Sequence, residues 1–170
     1  TVGRRISFSA SSPTRGVFGG GRRISSPATI TTTNVIDYIT IQSEGNAQDF
    51  GDLLIASTDR YFGNAGNSST RGIICSGNDG TGDDNELSYI TLASKGDAID
   101  FGDSIVTSGA SGGSGTSNQT RGVYHPASGN DASELETVII ATTGNSTSFG
   151  DLSVGRRVYG SLSDAHGGLG

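Results

Sequence analysis

Hard oxygen donors are densest at residues 77–86, where the chain reads GNDGTGDDNE. Asn78, Asp79, Asp83, Asp84 and Glu86 are the ligand types Ca²⁺ prefers, and Gly80 and Gly82 permit the tight curvature of a chelating loop. The spacing departs from the twelve-residue D-x-[DN]-x-[DN]-G-x5-E loop, and the segment has no counterpart elsewhere in the chain. A Ca²⁺ site on Asp79, Asp83, Asp84 and Glu86 therefore stands beside a solvated hairpin loop as the second of two readings. His125, His166 and the single Cys75 fall short of the three or four ligands of a zinc site, and one cysteine forms no intrachain disulfide. No G-x-S-x-G elbow stands in a strand-to-helix context. Among the 17 acidic residues the sequence singles out no pair for glycoside hydrolysis. No catalytic residue and no cofactor other than Ca²⁺ is expected.

Two residue types recur at a fixed interval. Arg15, Arg71 and Arg121 each sit in Thr-Arg-Gly, and Phe50, Phe101 and Phe149 each open Phe-Gly-Asp. The arginines could present guanidinium groups to an anionic ligand, or could fix turns by hydrogen bonding to carbonyls or to Asp52, Asp103 and Asp151. Residues kept in every copy while the loops vary point to architecture, and the phenylalanines are expected as wedges between adjacent sheets. For stacking on a glycan the chain offers Tyr61, Phe62, Tyr124 and Tyr159. Sequons at Asn67, Asn118 and Asn145 occur at the frequency chance provides in so Ser/Thr-rich a chain.

The elements that carry these residues follow from composition and repetition. Of 170 residues 28 are Gly, 32% are hydrophobic and 16% charged, with no Met or Trp. Short apolar clusters of Ile, Val, Leu, Phe and Tyr separated by Gly, Ser, Asn and Asp favour strands and tight turns. The net charge of −6 and the lack of a basic stripe speak against nucleic acid. No apolar run approaches the roughly 20 residues of a membrane-spanning helix. No basic-then-apolar signal segment is present. The start at Thr1 predicts a processed product or a piece of a longer chain.

The block NVIDYITIQSEGNAQDFGDL at 34–53 returns as NELSYITLASKGDAIDFGDS at 85–104 and SELETVIIATTGNSTSFGDL at 133–152. Thr-Arg-Gly shares the period, and TVGRRISFS at 1–9 matches SVGRRVYGS at 153–161. One repeat domain of three units results, at 4–57, 59–108 and 109–156, with 156–170 starting a fourth. Strands are expected at 4–10, 15–20, 35–42 and 50–57, at 60–66, 71–76, 87–94 and 101–107, and at 121–125, 135–142 and 149–155. The polar stretch 108–119 makes a weak first strand in the third unit. Four strands per unit of this length match a β-propeller blade, which needs a neighbour on each face. Three blades fall short of a ring. The expected fold is all-β: three four-stranded blades, part of a propeller or completed by other chains, or alternatively a stacked β-repeat or solenoid.

The order of Arg-bearing first strand, Gly-rich second strand, Tyr-bearing third strand and Phe-Gly-Asp fourth strand resembles a Kelch-type blade. Gly19, Gly20 and Gly21 sit where Kelch blades carry paired glycines, and Phe50, Phe101 and Phe149 take the place of the Kelch tryptophan. Cys75-Ser76-Gly77 and His125-Pro126-Ala127 depart from that pattern. The segments TRGVFGGG, VIDYITI and DFGDL are similar to Kelch-like repeat proteins of tailed bacteriophages. That resemblance implies a virion component, a tail-fibre or surface-appendage protein used for structure or host attachment. Its expected partners are further copies of the chain, other virion proteins or a host surface glycan, met through the variable loops 22–33, 77–85 and 127–132. A ligand-free filament or shell subunit and a carbohydrate-binding or carbohydrate-active propeller are the alternatives.

Overall fold

The computed structural model describes residues 8–25, 29–55, 63–75, 84–108, 114–126 and 132–155. Each repeat begins with a hairpin whose turn is fixed by one side chain. Ser12 Oγ accepts hydrogen bonds from the Thr14 and Arg15 amides. Ser68 repeats this with Thr70 and Arg71, and Asn118 Oδ1 does so with Thr120 and Arg121. Short polar side chains that bond their own backbone two and three residues on are turn formers, so the chain reverses at the same place in every unit.

Three four-stranded antiparallel sheets result. The first runs β1 (Phe8–Ser11), β2 (Arg15–Gly19), β5 (Val35–Thr40), β6 (Gln48–Asp52). The second has β7 (Gly63–Asn67), β8 (Arg71–Cys75), β9 (Asp84–Thr91) and β10 (Ile99–Ser108) in that spatial order, and the third β11 (Ser114–Ser117), β12 (Arg121–His125), β13 (Glu134–Ile139) and β14 (Thr147–Asp151). No helix occurs among the described residues, so the expected all-β class and the four-strand unit hold. The segment expected as a variable loop at 22–33 is itself a hairpin, β3 (Arg22–Ser25) paired with β4 (Thr29–Thr32) and with no other strand.

The fourth strands start earlier than expected, and in the first unit the strand ends at Asp52 rather than 57. A register shift between Ile36 and Asp37 places Phe50 opposite no residue of β5, a bulge that bends the strand and turns the ring inward. The weak first strand of the third unit is present as β11 despite its polar sequence. Its small residues allow close approach, since a Cβ on Gly115 would overlap the Asn64 carbonyl of β7.

The core lies between sheets. One cluster joins Phe8, Val17, Ile36, Tyr38, Phe50 and Leu53 of the first sheet to Ile74, Ile90, Leu92 and Ala98 of the second. The other joins Ala65, Ile73, Cys75, Leu87 and Phe101 of the second to Tyr124, Val138 and Ile140 of the third. Strand alternation divides the middle sheet, sending Ile74, Ile90 and Leu92 one way and Ile73, Cys75 and Leu87 the other. Fully burying each such side chain contributes about 1.5–3 kcal/mol, and only a neighbouring sheet provides that burial.

Candidate functional site

The recurrent arginines and Phe-Gly-Asp segments meet at the junctions between sheets. Arg15 Nη1 donates to the Leu92 carbonyl of the following sheet at 3.0 Å, and Arg71 Nη1 donates to Ile140 O and Ala141 O at 3.1 and 3.0 Å. Each guanidinium also lies over a tyrosine of its own sheet, Arg15 at 5.0 Å from the Tyr38 ring and Arg71 at 4.4 Å from Tyr89. Those rings in turn stand edge-on to Phe50 and Phe101. The arginines thus bond carbonyls, one of the two structural partners expected. Asp52 and Asp103 instead receive the next sheet through their backbone: the Asp52 amide donates to Asp97 Oδ1 and the Asp103 amide to Asn145 Oδ1. Asp151 accepts from Ser133 Oγ.

The fourth-strand edge is also bonded main chain to main chain. Gly96 N and Ala98 N donate to Phe50 O and Asp52 O at 2.9 and 2.8 Å, and Gly144 N and Ser146 N donate to Phe101 O and Asp103 O at 2.7 and 2.8 Å. Gly51 and Gly102 sit at positive φ there, and a Cβ on either would overlap the Gly96 or Gly144 carbonyl. Along the first-strand edge Ser117 Oγ accepts from Asn67 N and donates to Asn67 O, while Asn64 and Asn67 amides reach Ser9 O and Ser11 O.

Among the described residues the second junction holds a buried cluster whose residue types could do acid–base chemistry. Glu136 is completely buried. Its Oε2 accepts from Tyr124 Oη at 2.6 Å, Ser104 Oγ at 2.7 Å, Ser146 Oγ and the Ile105 amide, and Oε1 accepts from the Val106 amide at 2.9 Å. Burial, the neighbouring Cys75 and the Glu136 bond push the Tyr124 phenol well above its ordinary value. Burial first, then Glu136, likewise holds the Cys75 thiol protonated. Both carboxylate oxygens accept from protein donors, four at Oε2 and one at Oε1, and the residue is fully buried, so the arrangement ties β10 to β13 rather than facing a substrate. At the first junction the corresponding positions are Leu53 for Ser104, Ile74 for Tyr124, Ser88 for Glu136 and Ala98 for Ser146, and Leu53, Ile74 and Ala98 belong to the apolar core. Sequence reasoning missed this cluster. The available signal was a Glu at an inward strand position of the third copy, with both flanking apolar positions turned to Ser in the same pair of units.

Two expectations need correction. Tyr124, expected as a glycan-stacking ring, is 1% exposed and bonded to Glu136; its place on β12 faces the second sheet. Phe149, expected as a wedge like Phe50 and Phe101 (each 2% exposed), is 51% exposed, because no described sheet follows the third. Tyr61, Phe62 and Tyr159 lie outside the described residues, as do Asp79 and Asp83 of the Ca²⁺ reading and residues 156–170. Asp84 and Glu86 begin β9, where Asp84 Oδ1 accepts from the Glu86 amide. Among the described residues no group of three or more His, Cys, Asp or Glu is placed to hold a metal ion.

On the outer face of the third sheet an open depression of about 300 Å³ is lined by Thr116, Ser117, Asn118, Arg121, Val123 and Phe149. Arg121, Val123 and Phe149 correspond to Arg15, Val17 and Phe50, and to Arg71, Ile73 and Phe101, the residues on which the next sheet sits within the chain. Comparison with protein-family models and with curated proteins gives no match. Fold and site together define an all-β repeat protein of three antiparallel four-stranded sheets joined face to face.

Proposed function

We propose that the chain is a non-enzymatic structural and adhesive repeat protein, a rigid rod of sheets that displays variable loops. A virion appendage used in host attachment is the setting that its resemblance to Kelch-like phage repeats favours. The observation carrying the reading is where the chemically capable residues are used: Arg15, Arg71 and the first two Phe-Gly-Asp groups bond the following sheet, and the buried Glu136 bonds the preceding one. The contact of each sheet with its neighbour along both the first-strand and the fourth-strand edge supports a stack over a ring of blades. Blades in a ring converge at the axis and splay outside, whereas here both edges are at hydrogen-bond distance.

On such a rod the β3–β4 hairpin is the natural contact element, since it pairs only with itself. Replacing residues 22–32 by a short Gly turn is expected to leave the far-UV spectrum and melting temperature of the rod intact. Binding to an array of bacterial surface polysaccharides should be lost. Equal array binding by the shortened chain, or binding by neither protein, would refute the adhesive assignment.

A further inference from the structure

Lys95 is the only lysine in the chain. It lies in the turn between β9 and β10, is exposed, and reaches across the first junction, where its ammonium stands 5.2 Å from the centre of the Tyr38 ring in the preceding sheet. Arg15 stands 5.0 Å from the same ring. Two cations from successive sheets thus converge on one tyrosine, in a chain whose net charge is −6. Like charges so close repel each other, and an anion between them removes that cost. Among the described residues no carboxylate pairs with either cation. Arg15 uses Nη1 on the Leu92 carbonyl, which leaves further N–H donors of the guanidinium. The second junction lacks the pairing: Thr143 holds the place of Lys95, and Arg71 Nη1 serves two carbonyls. Joining two sheets therefore does not require the second cation.

The surroundings of the pair are polar. Thr40 stands opposite Arg15 on β5, and Gln48 accepts from the Tyr38 hydroxyl at 2.7 Å; both are exposed. The Tyr38 ring itself is buried, with Phe50 edge-on to it, so no free aromatic face is offered to an apolar ligand. Resting on the adhesive reading, we propose that Arg15 and Lys95 form a site for the carboxylate of an acidic sugar at the first junction. The spare guanidinium donors and the ammonium take the carboxylate oxygens in charge-assisted hydrogen bonds, and Thr40 and Gln48 meet hydroxyls of the same sugar. One cation comes from each sheet, so the site exists only where the two are stacked. Exposed charge pairs are individually weak. The contact therefore adds to one made elsewhere on the rod and does not capture a polysaccharide alone.

The test is an amide-resolved NMR titration of the full 170-residue chain with trigalacturonic acid at millimolar concentration. Neutral galactotriose and inorganic sulfate are the comparison ligands. The acidic trisaccharide is expected to shift the signals of Arg15, Thr40 and Lys95 saturably, and the neutral one to leave them in place. Lys95→Gln, an exposed change, should weaken binding about tenfold or more, the loss of one charge-assisted hydrogen bond. Lys95→Arg keeps the charge and should retain most of the affinity. Absent shifts, equal shifts with galactotriose, or unchanged affinity in Lys95→Gln would overturn the site. Sulfate binding without the sugar would mark a bare anion site and overturn it too. The chain shortened at 22–32 keeps Arg15 and Lys95, so its titration reports this site alone. A millimolar contact does not survive the washing of an array, which reports the hairpin, so the two readings fail separately.

Discussion

Tyr124 Oη donates to Glu136 Oε2 at 2.6 Å in the space where, one junction earlier, Ile74 packs against Leu53 and Ala98. The same backbone framework is thus sealed once by hydrocarbon and once by a buried carboxylate with five donors. The second solution is the more fragile to single changes. Removing the acceptor deprives three hydroxyls and the Val106 amide of it, while the Ile105 amide keeps Ser146 Oγ.

Glu136→Ala is expected to lower the stability of the chain by about 3–5 kcal/mol, because several buried neutral donors lose their acceptor and each costs about 1–3 kcal/mol when unsatisfied. Glu136→Gln keeps the shape and half of the acceptors, and its cost should be about 2 kcal/mol. Transplanting the first junction whole, with Ser104→Leu, Tyr124→Ile, Glu136→Ser and Ser146→Ala together, should recover the loss suffered by Glu136→Ala. Urea denaturation of the three variants checks the order. A combined variant less stable than Glu136→Ala would contradict the equivalence of the two junctions.

Gly102 and Gly150 share a backbone conformation, with φ of 141° and 143°, but only Gly102 is covered by a following sheet. Gly102→Ala therefore carries both the strain of a left-handed conformation, about 1–3 kcal/mol, and a clash that pushes the second and third sheets apart, about 1–3 kcal/mol more. Gly150→Ala carries the strain alone. Chemical denaturation at low protein concentration should show Gly102→Ala as clearly the worse; equal costs would mean that the Gly144 carbonyl yields freely.

Glu86 has its carboxyl raised above the usual 4.5, by burial first and then by Asp84, Asp100 and Asp103. The fold thus binds this proton more tightly than the unfolded chain does. Stability contributed by the protonated group is fully present below the unfolded value and is lost as pH rises through the folded one. Glu86→Gln is expected to be more stable than wild type at neutral pH, by no more than about 3 °C for a partly exposed group. The gap should close on acidification toward the ordinary glutamate range. Melting curves over that window check it, and a gap that widened on acidification would reverse the sign.

Much of the fold is legible in the sequence because the repeat is. The alignment of Phe50, Phe101 and Phe149 sets the unit, and the alternation in YITI-type segments sets the faces. The turn-forming Ser12, Ser68 and Asn118 sit where the breaks fall. What periodicity does not carry is which neighbour a face meets. Phe149 has the same local sequence as Phe101 and the opposite environment, because burial here depends on what stands beyond the unit. Tyr124 reads as a surface aromatic for the converse reason: its partner, Glu136, is contributed by a different strand, and a buried Tyr with a charged acceptor looks in sequence like an exposed one. The arginines were open between ligand and scaffold, and only the position of Leu92 O and Ile140 O decides which group each guanidinium reaches.

The chemical difference between the two internal junctions has a consequence for ancestry. Tandem units that arise by duplication are exposed to unequal crossing-over, and interchangeable seams would let units be gained, lost or permuted without penalty. Here an exchange that set Glu136 against Leu53 would bury a charge on hydrocarbon. The acidic seam therefore works as an address, fitting the third sheet to the Ser104-bearing face of the second and not to the Leu53-bearing face of the first.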